Sequence, residues 1–235
     1  MISFILPAHD EAALIAATLH AVHAAARAVR KPYEIVVVDD ASTDATADIA
    51  RRMGARVLPV SHRHIAATRN AGARFALGDT LLFVDADTRV DARVVQAALD
   101  ALADGAVGGG ATVRLSGPLA WHERVLAAIA IPALRWARIA PGCFIFCTRA
   151  AFEAAGGFDE SLFAAEDIAL SRALARRGRF VLLAETVATS ERKLRTHGAR
   201  DHLRLLWRLL RHGRGALRSR EHLGLWYGKR RHGPP

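Results

Sequence analysis

Four short apolar runs, Ile2–Leu6, Tyr33–Val38, Arg56–Val60 and Thr80–Val84, restrict the fold of this 235-residue chain more than any other feature. They alternate with Ala- and Leu-rich stretches of helical spacing: Glu11 to about Val29, Thr43 or Asp44 to Met53, Ile65–Ala76 and Asp91–Leu102. Strands that are nearly continuous Val, Ile and Leu need burial on both faces. Their alternation with helices therefore predicts an α/β fold with a mostly parallel sheet covered on each side. Ligands of such folds gather beyond the carboxyl ends of the strands. Pro7–Glu11, Asp39–Asp44 and Asp85–Asp87 all fall at such ends.

Asp85-Ala86-Asp87 follows the run Thr80–Val84. In extended backbone the two carboxylates share a side, and two like charges that close repel unless a cation neutralises them. A hard divalent ion such as Mg²⁺ or Mn²⁺ takes oxygen ligands and keeps waters or substrate phosphates in its other positions. A solvated turn with Asp87 capping the next helix is the plainer alternative. Beyond residue 105, Gly108-Gly109-Gly110 leads into a strand at Ala111–Leu115, and Leu119–Arg138 reads as a helix. Phe144–Phe146 reads as a strand, Arg149–Ala155 as a helix stopped by Gly156-Gly157, Glu166–Arg177 as a helix and Arg179–Leu183 as a strand.

The net charge of +10 is unevenly placed. Residues 176–235 carry 16 Lys/Arg against 4 Asp/Glu, whereas residues 1–175 carry 17 against 19. A local anionic partner fits this better than a nucleic-acid-binding domain. Cys143 and Cys147 have no His at zinc spacing and are expected to be buried thiols in a reducing compartment. Met1–Leu6 is apolar, but Asp10 and Glu11 end it too soon for a secretory signal. The uncharged stretches Val125–Leu134 and Ile139–Thr148 are too short to span a bilayer. A cytoplasmic protein is expected.

Six segments, taken in order, resemble the family 2 glycosyltransferases, which have the GT-A fold. They are Pro7-Ala8-His9-Asp10-Glu11, Val36 through Thr46 (with Asp39-Asp40-Ala41-Ser42-Thr43-Asp44), Ala67-Thr68-Arg69-Asn70-Ala71-Gly72, Gly78 through Asp87, Gly156-Gly157-Phe158-Asp159-Glu160, and Glu166-Asp167. The resemblance implies a Rossmann-like sandwich and inverting transfer of one sugar from a nucleotide-diphosphate sugar, UDP- or GDP-linked. Asp87 is then expected to hold Mn²⁺ or Mg²⁺ directly, with Asp85 alongside on the metal or ribose and Ala86 between them against the donor. Asp39 and Asp40 are expected to read the base and ribose. Pro7, His9 and Glu11 are expected to pack on the nucleotide, with His9 in place of the family's aromatic residue and Asp10 in place of its Asn. Arg69 matches a cation that approaches base or phosphates, the alternative being a surface Arg. Ala41 stands where Gly is common, which suggests that φ > 0 is not needed there; Asp44 is expected only to cap a helix.

Inverting transfer needs a base for the acceptor hydroxyl, and the resemblance assigns that role to Asp167. A helix N-terminus alone would lower its pKa, so burial or desolvation must raise it. Gly156–Glu160 is expected to line the acceptor side. His197 is either a loop side chain or, as in some relatives, a further metal ligand. Arg200–His212 places Leu203, Leu206, Trp207 and Leu210 on one helical face and Arg204, Arg208 and Arg211 on another. That helix either lies on anionic lipid or packs its Leu stripe on the domain. The expected organisation is a transferase domain over 1–198 and a basic helical tail over 199–235. The Gln/Arg-x-x-Arg-Trp motif of processive synthases is absent, which favours single-sugar transfer, with a lipid-linked or envelope-precursor acceptor at the inner membrane face. Two other readings compete. A nucleotidyltransferase would want a Gly-rich basic loop after the first strand, and Pro7–Glu11 offers none; a non-catalytic module would use the basic tail on an anionic surface.

Overall fold

The structure, a computed structural model, describes residues 1–115, 140 and 142–189. Among these residues the strands are β1 Ile2–Ala8, β2 Tyr33–Asp40, β3 Arg56–Val60, β4 Thr80–Val84, β5 Thr88–Arg89, β6 Ala106–Leu115, β7 Phe144–Thr148 and β8 Arg179–Thr189. The helices are α1 Ile15–Ala28, α2 Thr46–Arg52, α3 Ile65–Phe75, α4 Ala92–Ala103, α5 Arg149–Ala155 and α6 Glu166–Ala175. The expected helix Leu119–Arg138, His197 and the tail over 199–235 lie outside the described residues.

The strands form one sheet in the order β3-β2-β1-β4-β7-β6-β8-β5. From β3 to β4 the pairing is parallel, as the apolar strand pattern predicts. β7 then runs antiparallel to both β4 and β6, while β6 and β8 are parallel. Every residue of β1 is buried. Period-2 alternation sends Phe4 and Leu6 into a core with Ile15, Leu19 and Val94 of α1 and α4. Ile5 enters the opposite core, with Val36, Val38, Phe83, Phe152, Phe158 and Leu170 on the side of α3, α5 and α6. Burial of each such large side chain contributes about 1.5–3 kcal/mol, which fixes the register on both faces.

Several elements differ from their expected bounds for visible reasons. β1 continues through Pro7, which pairs with Val38. The β4 side of β1 is paired only as far as Ile5, so the missing Pro7 N–H breaks no ladder bond on that side. Glu11 is not helical: Leu14 and Ile15 both donate to its carbonyl in a turn that precedes α1. Gly108-Gly109-Gly110 lies inside β6 rather than before it, because a Cβ at Gly109 would fall on the Val181 carbonyl and the Phe146 ring. Asp91 caps α4, accepting from the Val94 N–H at 3.0 Å, instead of being its first residue.

Candidate active site

At the carboxyl edge of β1, β2 and β4, short side chains knit the loops together. Asp10 accepts from the Thr43 N–H at 2.7 Å, and Thr46 Oγ1 accepts from the Glu11 N–H at 2.8 Å. Asp44 accepts from the Ala12 and Thr46 N–H groups, one residue ahead of Ala45, which takes the N-cap position of α2 in place of the expected Asp44. Asp40 is likewise occupied by its own chain. Its Oδ1 accepts from the His62 and Arg63 N–H groups, and its Oδ2 from the His64 N–H and Thr68 hydroxyl. All four sites around that carboxylate are therefore taken up in shaping the 62–64 loop and the start of α3. Of the acidic pair expected to read the nucleotide, Asp39 is the one left with an open acceptor. It is 9% exposed, and its Oδ1 has no hydrogen-bond partner among the described residues.

His9 sits beside this position, 3.3 Å from Asp10 and in contact with the exposed Arg63 guanidinium, which lies 2.9 Å from its Nδ1. Nothing in the sequence sets Arg63 apart: it is one Arg of many there, and only the fold brings it across 54 residues to His9. Ala41 has φ 55°, so the left-handed turn exists without the family's Gly, contrary to expectation. Pro7 and Glu11 are buried at the same edge.

Asp85 and Asp87 leave the end of β4. Thr88 donates to the Asp85 carbonyl, and Ala86, between the two acids, is buried with its carbonyl held by the Thr18 hydroxyl at 2.7 Å. Asp87 is 6% exposed. A carboxylate that deep, next to a second one, suits a hard divalent cation. Among the described residues no third His, Cys, Asp or Glu completes a ligand cluster. Two protein carboxylates with the remaining positions left to water and phosphate oxygens fit Mg²⁺ or Mn²⁺ well.

Arg69, expected near the base or phosphates, instead lies beneath the site at 3% exposure. One terminal nitrogen donates to Glu166 at 2.8 Å; the other donates to Asp85 at 2.7 Å and to the Gly142 carbonyl at 2.8 Å. Its guanidinium lies 5.2 Å over the Phe158 ring. Burial opposes its charge, yet Asp85 and Glu166 more than offset that and raise its pKa. Neither sequence reading of Arg69, donor contact or surface residue, describes this buried junction.

Asp167 is the second residue of α6, whose N-cap Ala165 is held in left-handed backbone at φ 64°. Its Oδ1 accepts from the Ile168 N–H at 2.8 Å. A Cβ at Gly142 would stand 3.0 Å from Asp167 Oδ2, so only a glycine lets this approach occur unhindered. Burial raises the pKa of Asp167 and of Glu166 above ordinary carboxylate values, in opposition to Arg69. The helix N-terminus is thus outweighed by desolvation, and a carboxylate with raised proton affinity is the result. The loop before α6 is latched to α3: the Asn70 amide bonds both the N–H and the carbonyl of Phe158, and also Glu160. That loop borders a hollow of about 820 Å³ that Asp85, Asp87 and Asp167 do not line. Cys143 and Cys147 are buried thiols, as expected, with burial pushing the Cys143 thiol up to about 12. Among the described residues no helix is long and apolar enough to cross a membrane.

Comparison with known proteins agrees with this architecture. A mannosyltransferase of Pyrobaculum calidifontis, solved with GDP-Man and Mn²⁺, superposes with a TM-score of 0.67 at 22% identity, over 92% of this chain and 62% of that one. S. aureus TarS (residues 1–349) with UDP-GlcNAc gives 0.62 at 19% identity, over 80% and 58%. Both establish the GT-A fold. In sequence, 108 residues are 33% identical to validoxylamine A glucosyltransferase of Streptomyces hygroscopicus subsp. jinggangensis (strain 5008), covering 43% of this chain and 25% of that protein. The chain thus spans about a quarter of the length of this curated relative. The family model for glycosyl transferase family 2 matches residues 3–153, and the chain belongs to that family.

Proposed function

We propose that this protein transfers a single sugar, with inversion and with the help of a divalent metal, from a UDP- or GDP-sugar to an acceptor hydroxyl or phosphate. The observation that supports the reading best is the junction at Arg69, which brings the end of β4 (Asp85, Asp87) and the start of α6 (Glu166, Asp167) to one place at the carboxyl edge of the sheet. In this reading Asp39, with its open Oδ1, accepts from the base or ribose, and His9 and Arg63 flank the nucleotide. Pro7 and Glu11 shape the floor, and Asp40 acts through the 62–64 loop it holds. Mn²⁺ or Mg²⁺ on Asp87, with Asp85 alongside, would supply Lewis-acid stabilisation of the leaving diphosphate. Asp167 takes the acceptor proton as the acceptor oxygen attacks the anomeric carbon from the side opposite the leaving group. Its raised proton affinity suits that task.

His197 is kept as a candidate further metal ligand. Residues 1–198 are assigned to the transferase domain, and 199–235 to a basic segment that rests on anionic membrane. The acceptor is then lipid-linked or an envelope precursor, reached at the cytoplasmic face.

The test is release of nucleoside diphosphate from UDP-glucose, UDP-GlcNAc and GDP-mannose by the full chain with Mn²⁺, before and after EDTA. Asp87→Ala and Asp167→Asn, confirmed folded, should each lower turnover by about 100-fold or more. Full turnover in both variants, or unchanged turnover in excess chelator, would remove the mechanism.

A further inference from the structure

We infer that Arg69 is a positioning residue that sets the spacing between the donor-side carboxylate Asp85 and the acceptor base Asp167, an assignment that rests on the transferase reading above. The geometry carries it from three sides. One terminal nitrogen holds Glu166, the chain neighbour of Asp167. The other holds the Gly142 carbonyl, and that same glycine lies directly against the Asp167 carboxylate, where a Cβ on it would stand 3.0 Å from Oδ2. Asp85 shares this second nitrogen. A single planar guanidinium therefore grips the base through the residue beside it and through the backbone beneath it, while also gripping the end of β4.

The rest of its surroundings make it rigid. Phe158 covers one face of the guanidinium, and the Asn70 amide, next along α3, fixes the backbone of Phe158 on both sides of its peptide. α3 is itself seated tightly on the sheet, since a Cβ at Gly72 would meet Ile5 Cγ2 at 2.5 Å and Val38 Cγ2 at 2.7 Å. With 3% exposure and both terminal nitrogens given to protein acceptors, Arg69 acts on the reaction through Asp85, Gly142 and Glu166. Lysine keeps the charge but offers one compact ammonium in place of a two-ended fork. It can hold Asp85 or Glu166 at this spacing, and not both with the Gly142 carbonyl.

The experiment compares the full-length wild type with Arg69→Lys and Glu166→Gln. It measures turnover of UDP-glucose, UDP-GlcNAc and GDP-mannose to free nucleoside diphosphate at saturating donor with Mn²⁺, donor Kd by calorimetry, and thermal unfolding. Arg69→Lys should lower kcat by about 100-fold, the effect of a misplacement near 1 Å, with donor Kd within about threefold of wild type. Glu166→Gln, which takes the charge from one arm of the junction and leaves Arg69 on Asp85 and Gly142, should lower kcat by about tenfold at unchanged Kd. A residue that only stabilises the fold would lower the melting temperature and leave kcat per folded molecule alone. Wild-type kcat in folded Arg69→Lys overturns the inference, as does a Kd that weakens in step with kcat/KM at constant kcat, which would make Arg69 a donor ligand. Should Arg69→Lys fail to fold, wild-type kcat in Glu166→Gln overturns it equally. A wild type that turns over none of the donors sinks the transferase reading first, and this assignment with it.

Discussion

Five described residues other than glycine hold left-handed backbone: Arg30, between α1 and β2, and, in the loops around the site, Asp10, Ala41, Arg63 and Ala165, with φ of 51°, 55°, 50° and 64°. Strain of this kind persists where surrounding structure overrides local preference, and it concentrates at functional sites. Ala41 has no local compensation from its own side chain, so Ala41→Gly should raise stability by about 0.5–1 kcal/mol in urea titrations, relief of the αL strain exceeding the added freedom of the unfolded chain. Ala165→Gly should give a similar gain while loosening the start of α6, so its kcat should fall at unchanged donor Kd. Protonation gives a second prediction. Burial raises the folded pKa of Asp167 from its ordinary 3.8, and that of Glu166 from 4.5. For acids raised on folding, the linked stability is present in full below the unfolded values and is lost as pH rises through the higher folded ones. Asp167→Asn should therefore melt higher than wild type at neutral pH, the difference shrinking as pH falls toward 4. The acid limb of wild-type turnover should lie above 3.8, because the base works only when ionised.

At the scale of elements, two segments carry the site. β6 threads Gly108-Gly109-Gly110 past Phe146 of β7 and the Val181 carbonyl of β8, and its middle glycine has no room for a methyl group. Gly109→Ala should lower stability by about 3 kcal/mol, since the obstacle is backbone rather than the end of a flexible side chain. Asn70 on α3 satisfies the N–H and carbonyl of buried Phe158, so Asn70→Ala should lower stability by about 2–4 kcal/mol through two orphaned backbone groups. Protease should then cut first in the 157–165 loop, which limited digestion with mass mapping would detect. The bounds of β3, β4 and α5 are readable directly from the chain, because apolar runs and the helix-stopping Gly156 act locally. The glycine run of β6 is not readable in that way: glycine signals a turn unless a neighbouring strand is known to need the space. The short β5 also escapes a pattern reading, since two residues show no period.

For the molecule as a whole, the carboxylates at the sheet edge all precede residue 176 in the sequence, and the basic excess falls in residues 176–235. If the carboxylates bind a metal–nucleotide pair, Mn²⁺ and UDP together should raise the melting temperature of the full chain, by about 2.7 kcal/mol of added stability at 100-fold excess over Kd, and EDTA should reverse the shift. UDP alone should give a smaller shift, because its diphosphate would then meet Asp85 and Asp87 with no divalent cation between them. Deleting 199–235 should leave turnover of donor to water unchanged, with binding to anionic vesicles lost.

Read locally, the chain dictates its strand–helix alternation, the parallel pairing of its first four strands and the presence of acids at their carboxyl edge, but not the strand order. Those features follow from apolar periodicity and from the ends of buried runs, which neighbouring residues decide among themselves. The division of labour among the acids and bases is another matter. Asp40 is consumed by backbone N–H groups more than twenty residues away, while Asp39 keeps an open oxygen. Arg69 finds its partners 16 and 97 residues distant. Which charge is buried, and against which other charge, is a property of the packed molecule, because desolvation and pairing exist only once distant segments have closed around the site.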